Sequence, residues 1–197
     1  MDDVLEQLSP SLYPNERVLW SGRPDPAVNF TSGDIFLIPF GLFFLCFSIF
    51  WEVGASSAPI GFFPLFGIPF VLVGLYYGLG RFFVKHYTKK RTAYAITDRR
   101  AIVLIGASNL RDVNPGEGSR TIRRSRDGHH MTVSFAPVAL TQSLFGFGGR
   151  NQIPPNTGLD FFDFGHRLPV AFYDVADVDG LTAALGRVGI GSQRAGS

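Results

Sequence analysis

Five basic side chains lie close together near the middle of the chain. They are Arg81, Lys85, Lys89, Lys90 and Arg91. Cations of this kind bind phosphate groups, and beside a bilayer each adds about 1 kcal/mol of attraction to anionic headgroups. The same charges also set the orientation of a membrane segment, because short loops rich in Lys and Arg stay in the cytoplasm. The cluster therefore predicts binding of membrane lipids or of a partner, a role in topology, or both.

Two further basic groups follow. Arg99 and Arg100 lie between two short β-type runs and are predicted to occupy a hairpin turn, either as a phosphate-binding pair or, by the favoured interpretation, as solvated side chains. The other group is predicted to lie on an exposed strand, where its charges discourage pairing at a sheet edge. It consists of Arg120, Arg123, Arg124 and Arg126.

The residue types of enzyme and metal sites occur without a recognisable arrangement. His129 and His130 are adjacent, so on a strand they point to opposite faces and cannot share one metal ion; His86 and His166 are isolated in sequence. Cys46 is the single cysteine, which excludes an intramolecular disulfide and a Cys-based zinc site. We expect it to be a small buried residue. Without a nucleophile elbow, phosphate loop or redox motif, the chain is predicted to be non-enzymatic and to need no metal or cofactor.

The composition indicates that different parts of the chain face different solvents. Charged residues make up 17% of the 197 residues, and 20 residues are Phe, whereas a typical soluble domain is about 25% charged. Between Ile35 and Gly80 the only residue charged at pH 7 is Glu52. The formal net charge of +2 is too small to indicate a nucleic-acid partner.

Two apolar runs, 33–53 and 59–82, are each long enough to cross a bilayer as a helix, and they predict a transmembrane hairpin. Arg17 and Arg23 precede the first run and the basic cluster follows the second, whereas the connection has no basic residue. Both termini are therefore predicted to lie in the cytoplasm, in a multi-pass protein of the cytoplasmic membrane. No Asp, Glu, Lys, Arg or His lies deep in either run, which favours an anchor over a transporter.

Small residues within the second run predict close helix packing. Gly67, Gly74 and Gly78 fall on nearly the same helical face. A face of this kind lets another helix approach closely. Its partner is either the first helix of the same chain or a second copy in a homo-oligomer. Prolines within the runs remove backbone donors and predict kinks. They are Pro39, Pro64 and Pro69.

After Arg91 the pattern changes to short β-type runs separated by turn residues. Asp127-Gly128 suits a tight hairpin turn. A terminal helix is predicted over 177–188, with Asp177 as its N-cap. The predicted strands cover 92–97, 101–105, 120–125, 129–135, 159–164 and 169–173, with a further one within 107–113.

Two motifs carry a resemblance to a known family. They are the segment Glu16-Arg17-Val18-Leu19-Trp20-Ser21-Gly22-Arg23-Pro24 and the hairpin Tyr94-Ala95-Ile96-Thr97-Asp98-Arg99-Arg100, separated by the apolar hairpin. In this order the chain resembles the bacterial pleckstrin-homology-like membrane proteins. The resemblance implies a small β-barrel or sandwich of about seven strands, capped by a C-terminal helix and attached to the cytoplasmic membrane. Because members of that family generally lack a defined catalytic site, it implies a fold more than an activity.

These observations predict a membrane α-helical hairpin joined to a β-rich, pleckstrin-homology-like domain with a C-terminal helix. The predicted parts are a cytoplasmic N-terminal segment at 1–32, the transmembrane hairpin at 33–82, the β domain at 83–191 and a disordered tail at 192–197. The expected function is that of a non-enzymatic, membrane-anchored scaffold or binding module for another membrane protein or assembly partner. An anionic-lipid sensor is the alternative, and a membrane-tethered enzyme is less favoured.

Overall fold

The computed structural model describes residues 2–31, 34–56, 63–115, 120–135 and 170–194. These residues belong to two compact units. The helical unit contains 29–85, and the β unit contains 2–28 together with the described residues from His86 onward. The predicted strand at 159–164 and His166 lie outside the described residues.

The helical unit is built from two long apolar helices, as the sequence predicts. Helix α2 spans Asp34–Ser56. Helix α3 spans Phe63–Leu75 and continues through a π-helical turn at Tyr76–Gly80 into α4, Arg81–Lys90. The helical structure therefore continues beyond the predicted boundary at residue 82, and every basic residue of the cluster except Arg91 lies in α4.

Most of the apolar surface of these helices is uncovered. The two candidate membrane spans are Asp34–Ala55 and Gly67–Lys90. In each of them, only 22% of the most apolar stretch is buried. Phe36, Phe43 and Phe50 recur every seven residues along α2 and are 65%, 70% and 78% exposed. Cys46 is also exposed, contrary to the prediction, because it lies on this uncovered surface. Both helices are long and apolar enough to cross a membrane.

The β unit contains seven described strands in two antiparallel sheets. The first sheet has the order β1-β2-β3-β4 and the second the order β5-β6-β7. A single bridge between Pro24 and Val175 links the segment after β1 to β7. The strands are β1 Val18–Gly22, β2 Thr92–Thr97, β3 Ala101–Ile105, β4 Asn109–Val113, β5 Thr121–Arg124, β6 Met131–Ser134 and β7 Ala171–Val175. The predicted β2–β3 hairpin, the strand within 107–113 and the turn at Asp127-Gly128 are confirmed.

Strand β2 is buried along its whole length because both faces of its sheet are covered. Tyr94 and Ile96 point into the main core with Trp20 and residues of the second sheet. Ala93 and Ala95 point to the opposite face, where Leu8 of helix α1, Asp2–Leu8, packs on them. A continuous apolar run without clear alternation is the pattern that such double burial produces.

The N-terminal segment is thus part of the β unit and not a separate region, which corrects the predicted boundary at residue 32. Strand β1 pairs with β2 across the whole helical insertion. Gly22 is required here, since a Cβ at this position would lie 2.6 Å from the ring of Trp20. That contact gives the Trp-x-Gly spacing a structural reason.

A C-terminal helix, α5, covers the main core with Leu181, Ala184 and Leu185. It spans Val178–Arg194, so residues 192–194 of the predicted tail are helical. Asp177 accepts a hydrogen bond from the backbone of Gly180 at 3.0 Å, which confirms it as the N-terminal cap. Its other oxygen accepts the indole N–H of Trp20 at 2.8 Å. One carboxylate therefore fixes both the helix and strand β1.

Candidate functional site

The structure divides the seven predicted binding residues into two classes. Lys90, Arg91 and Arg99 are exposed. The other four are buried, with exposed fractions of 0% to 6%, and each is held by oxygen atoms of the chain itself. They are Arg81, Lys85, Lys89 and Arg100. These four charges fasten backbone segments of the chain itself, and binding of a lipid or a partner by the seven residues stays a prediction.

Lys89 binds three oxygen atoms within the β unit. Its ammonium donates to the carbonyl oxygens of Asp25 and Val28 at 3.0 and 2.6 Å, and to Oδ2 of Asp174 at 2.6 Å. Asp174 holds a positive φ of 51°, and its backbone carbonyl accepts the N–H of Asp25. A buried ammonium is tolerated only with such compensation, so Lys89 locks residues 25–28 onto β7.

Two histidines support the same segment. His130 Nε2 lies 2.9 Å from Oδ2 of Asp25, and His86 Nδ1 lies 3.0 Å from the carbonyl oxygen of Pro26. The backbone N–H of Ala27 and the His130 ring lower the pKa of the Asp25 carboxyl. Among the described residues no group of three or more His, Cys, Asp or Glu side chains is placed to hold a metal ion.

Arg100 is the centre of a second buried network. Its guanidinium bonds Glu16 through two hydrogen bonds, Asp112 through Nη1 at 3.0 Å and the carbonyl of Ser11 at 2.7 Å. The ring of Tyr13 lies 3.9 Å from its central carbon. These contacts lower the pKa of Glu16 to about 2 and raise that of Arg100. The predicted solvated turn is thus confined to Asp98 and Arg99, because the network holds Arg100 inside.

The helical unit has its own buried ion pair, formed by Asp34 at the start of α2 and Arg81 at the start of α4. Asp34 also accepts the backbone N–H and the hydroxyl of Thr31. Arg81 Nε donates to the carbonyl of Tyr77 in the π turn at 2.8 Å. The sequence indicated Arg81 as a member of the basic cluster and Asp34 only as an end of the first apolar run, and it did not pair the two. The pair could have been predicted from their positions, because the start of one helix and the end of the next lie side by side in an antiparallel hairpin.

The predicted glycine face packs on α2 of the same chain. A Cβ at Gly74 would lie 2.8 Å from Cα of Leu45, and one at Gly67 would overlap the carboxylate of Glu52. Gly78 contributes differently, because its backbone nitrogen lies 2.9 Å from where a Cβ on Gly41 would stand. Close packing within the chain is the option that the structure supports; the homo-oligomer stays a prediction.

Among the described strands, the basic strand lies at the edge of the second sheet. Strand β5 pairs with β6, and Arg123, Arg124 and Arg126 are exposed, as predicted. Arg120 differs, because its Nη1 donates to the carbonyl of Leu185 on α5 at 3.1 Å. The short run of Arg, Thr and Ile indicated the strand but not this contact with α5.

Comparison with known proteins gives no relative. No family model matches the chain, and neither the curated proteins nor the solved structures contain a significant match. The fold therefore defines the class only as an antiparallel β unit with an inserted pair of long apolar helices.

Proposed function

We propose that this protein is a non-enzymatic, membrane-anchored binding module, whose β unit engages another membrane protein or an assembly partner. The observation that carries the proposal is the uncovered apolar surface of α2 and α3. A water-soluble protein rarely leaves a contiguous apolar patch of this kind uncovered. Hydrocarbon chains of lipids would cover it at no cost, with α2 and α3 crossing the membrane as a hairpin.

The charges at one end of the hairpin support this placement. The buried Asp34–Arg81 pair ends the apolar surface, and the carbonyl of Asn29 accepts a hydrogen bond from Lys85 at 2.5 Å. Charged groups at a membrane boundary need such partners, because lipid offers none. The basic residues around this end favour a cytoplasmic location for both termini.

The strand number supports the proposed family. A four-stranded and a three-stranded antiparallel sheet with a C-terminal helix match the arrangement that the pleckstrin-homology-like resemblance implies. Because members of that family generally lack a defined catalytic site, the resemblance favours a binding role. Four of the basic residues are buried in internal networks, which favours a protein partner. The lipid-sensing alternative would depend on the three exposed ones, Lys90, Arg91 and Arg99.

Topology is tested with single cysteines introduced into a Cys46→Ser chain. Ser56→Cys lies at the loop end of α2, and Ser108→Cys lies in the β3–β4 turn. We expect a membrane-impermeant maleimide added to intact cells to label only the first. Labelling of Ser108→Cys in intact cells, or recovery of the chain in the soluble fraction after carbonate extraction, would contradict the anchor.

Partner binding is tested by placing a photo-cross-linking amino acid at exposed positions of the β unit in native membranes. Tyr13, Leu110 and Ile122 are 56%, 37% and 53% exposed. We expect a discrete cross-linked species at one or more of these positions. Empty results at all three, together with salt-sensitive binding of anionic vesicles by the full chain in neutral nanodiscs, would favour the lipid sensor.

A further inference from the structure

We infer that strand β5 is a docking edge for an extended acidic segment of a partner protein, which adds to the second sheet as a fourth strand. This inference rests on the proposed binding function and assigns it a place and a ligand chemistry. Within the described part of the chain, β5 has a partner strand on one side only. None of the other described strands pairs with its second side, where the backbone N–H and C=O groups form a template for an added strand.

The side chains of β5 show that the core is open along this edge. Ile122 stands opposite Val133, and Arg124 stands opposite Met131. Residues directly opposite in an antiparallel pair point to the same side. Val133 and Met131 are 0% and 1% exposed in the main core, yet Ile122 on the same side is 53% exposed. A side chain on an added strand would cover Ile122 and continue the core outward.

Helix α5 lies beside the start of β5. The bond from Arg120 to the carbonyl of Leu185 joins the two elements, and Leu185 itself belongs to the main core. An added strand would therefore lie against β5 with α5 near one end. Because this contact holds the Arg120 side chain on α5, we assign Arg120 a structural role and do not count it among the charges that would bind the partner.

The charges specify the partner. Arg123, Arg124 and Arg126 are exposed, and Asp127 in the adjoining turn is occupied by the hydroxyl of Ser125 and the backbone N–H of His129. Arg124 shares the side of Ile122, and Arg123 points to the other side. An antiparallel partner would thus place two consecutive acidic residues opposite the two arginines, followed by an apolar residue opposite Ile122. The same arginines would repel most other strands, which reconciles binding with protection of the edge.

The test uses the full chain in lipid nanodiscs and a fluorescein-labelled peptide, Thr-Thr-Glu-Glu-Val-Thr-Thr. Its controls are a peptide with Lys in place of both Glu residues and a peptide N-methylated at alternate positions, which cannot pair through its backbone. We expect only the first peptide to raise fluorescence anisotropy. Hydrogen exchange at the amides of Thr121–Arg124 should slow when it binds.

The double variant Arg123→Glu, Arg124→Glu should weaken binding at least about tenfold, which corresponds to 1.4 kcal/mol. Arg126→Glu changes the same type of charge just outside the strand and should weaken it less than about threefold. Unchanged thermal unfolding of each variant shows that the β unit remains folded. The inference is overturned if the N-methylated peptide binds equally well, if both variants lose equal affinity, or if no peptide binds. It is also overturned if phosphatidylglycerol vesicles displace the peptide and the amides of Thr121–Arg124 are not protected.

Failure here can be separated from failure of the proposed function. Photo-cross-linking at Leu110 or Tyr13 without any at Ile122 would show a partner that docks elsewhere, which overturns the β5 site alone. No cross-link at any position would count against the binding module itself.

Discussion

Arg100 and Glu16 pair through both ends of their planar side chains, although 84 positions separate them in the chain. Nε donates to Oε1 at 2.9 Å and Nη2 donates to Oε2 at 3.0 Å. Bidentate pairs of this geometry are among the stronger polar contacts in proteins. The pair joins the segment before β1 to the turn after β2, on opposite sides of the helical insertion.

This pair should make the stability of the β unit depend on pH. The pKa of Glu16 falls from an ordinary value of 4.5 to about 2 in the folded state. A lowered folded-state pKa gives stability that is present above pH 4.5 and is lost as the pH falls toward 2. The free energy of unfolding should lose at most about 3 kcal/mol over this window. Glu16→Gln should cost a similar amount at pH 7 and little at pH 2.5.

Urea unfolding in detergent micelles measures this difference. The chain has two tryptophans, so a Trp51→Phe background leaves Trp20 as the sole fluorescent reporter of the β unit. Carboxyls such as Asp25 titrate in both proteins and cancel in the comparison. A gap between the two proteins that is the same at pH 7 and pH 2.5 would contradict the assignment.

Removing the Lys89 ammonium should strongly destabilise the β unit. Lys89→Met retains the aliphatic stem but leaves Asp174 and two carbonyls without their donor. Breaking a buried ion pair from one side costs roughly 3 to 5 kcal/mol. Lys90→Met is the matched control, since Lys90 is exposed and its loss should change stability by less than about 0.5 kcal/mol. Equal effects in urea unfolding would show that Lys89 is not a fastening group.

Helix packing should respond to one methyl group at Gly74. Gly74→Ala places a Cβ against the backbone of Leu45, and overpacking of this type costs roughly 1 to 3 kcal/mol. At Gly54 in α2 a new Cβ meets nothing within 4 Å, so Gly54→Ala should stabilise the helix by up to about 1 kcal/mol. Circular dichroism during thermal unfolding in micelles compares the two. An identical shift in both variants would refute close packing at Gly74.

The two roles of Asp177 can be separated by substitution. Asp177→Ala removes both the cap of α5 and the acceptor of the Trp20 indole, and each loss is worth about 1 kcal/mol. Asp177→Asn keeps one capping oxygen, so it should cost less and should chiefly change the fluorescence of Trp20. If the Asn variant unfolds as readily as the Ala variant, the cap contributes no measurable stability.

The sequence reveals features that depend on local periodicity and composition. The two apolar helices, the β2–β3 hairpin, the Asp127-Gly128 turn and the cap at Asp177 all follow from neighbouring residues. Gly74 could also be placed in a packed face, because the partner helix is next in the chain. These features need only short stretches of sequence for their explanation.

The features that were missed depend on contacts between distant parts of the chain. Arg100 stands in a turn beside Arg99, and no local pattern shows that Glu16 reaches one of them and not the other. Lys89 has the same composition around it as Lys90, but the helix directs one side chain inward and the other outward. Strand β1 was not recognised because its partner strand, β2, comes about 70 residues later, after the helical insertion.

The position of that insertion imposes an order on synthesis. Val18–Gly22 has no strand to pair with until residues 92–97 are made, and the whole hairpin leaves the ribosome in the interval. The β unit therefore cannot close before both apolar helices exist, and a chain that stops within the hairpin leaves Trp20 and Leu8 without the surfaces that bury them.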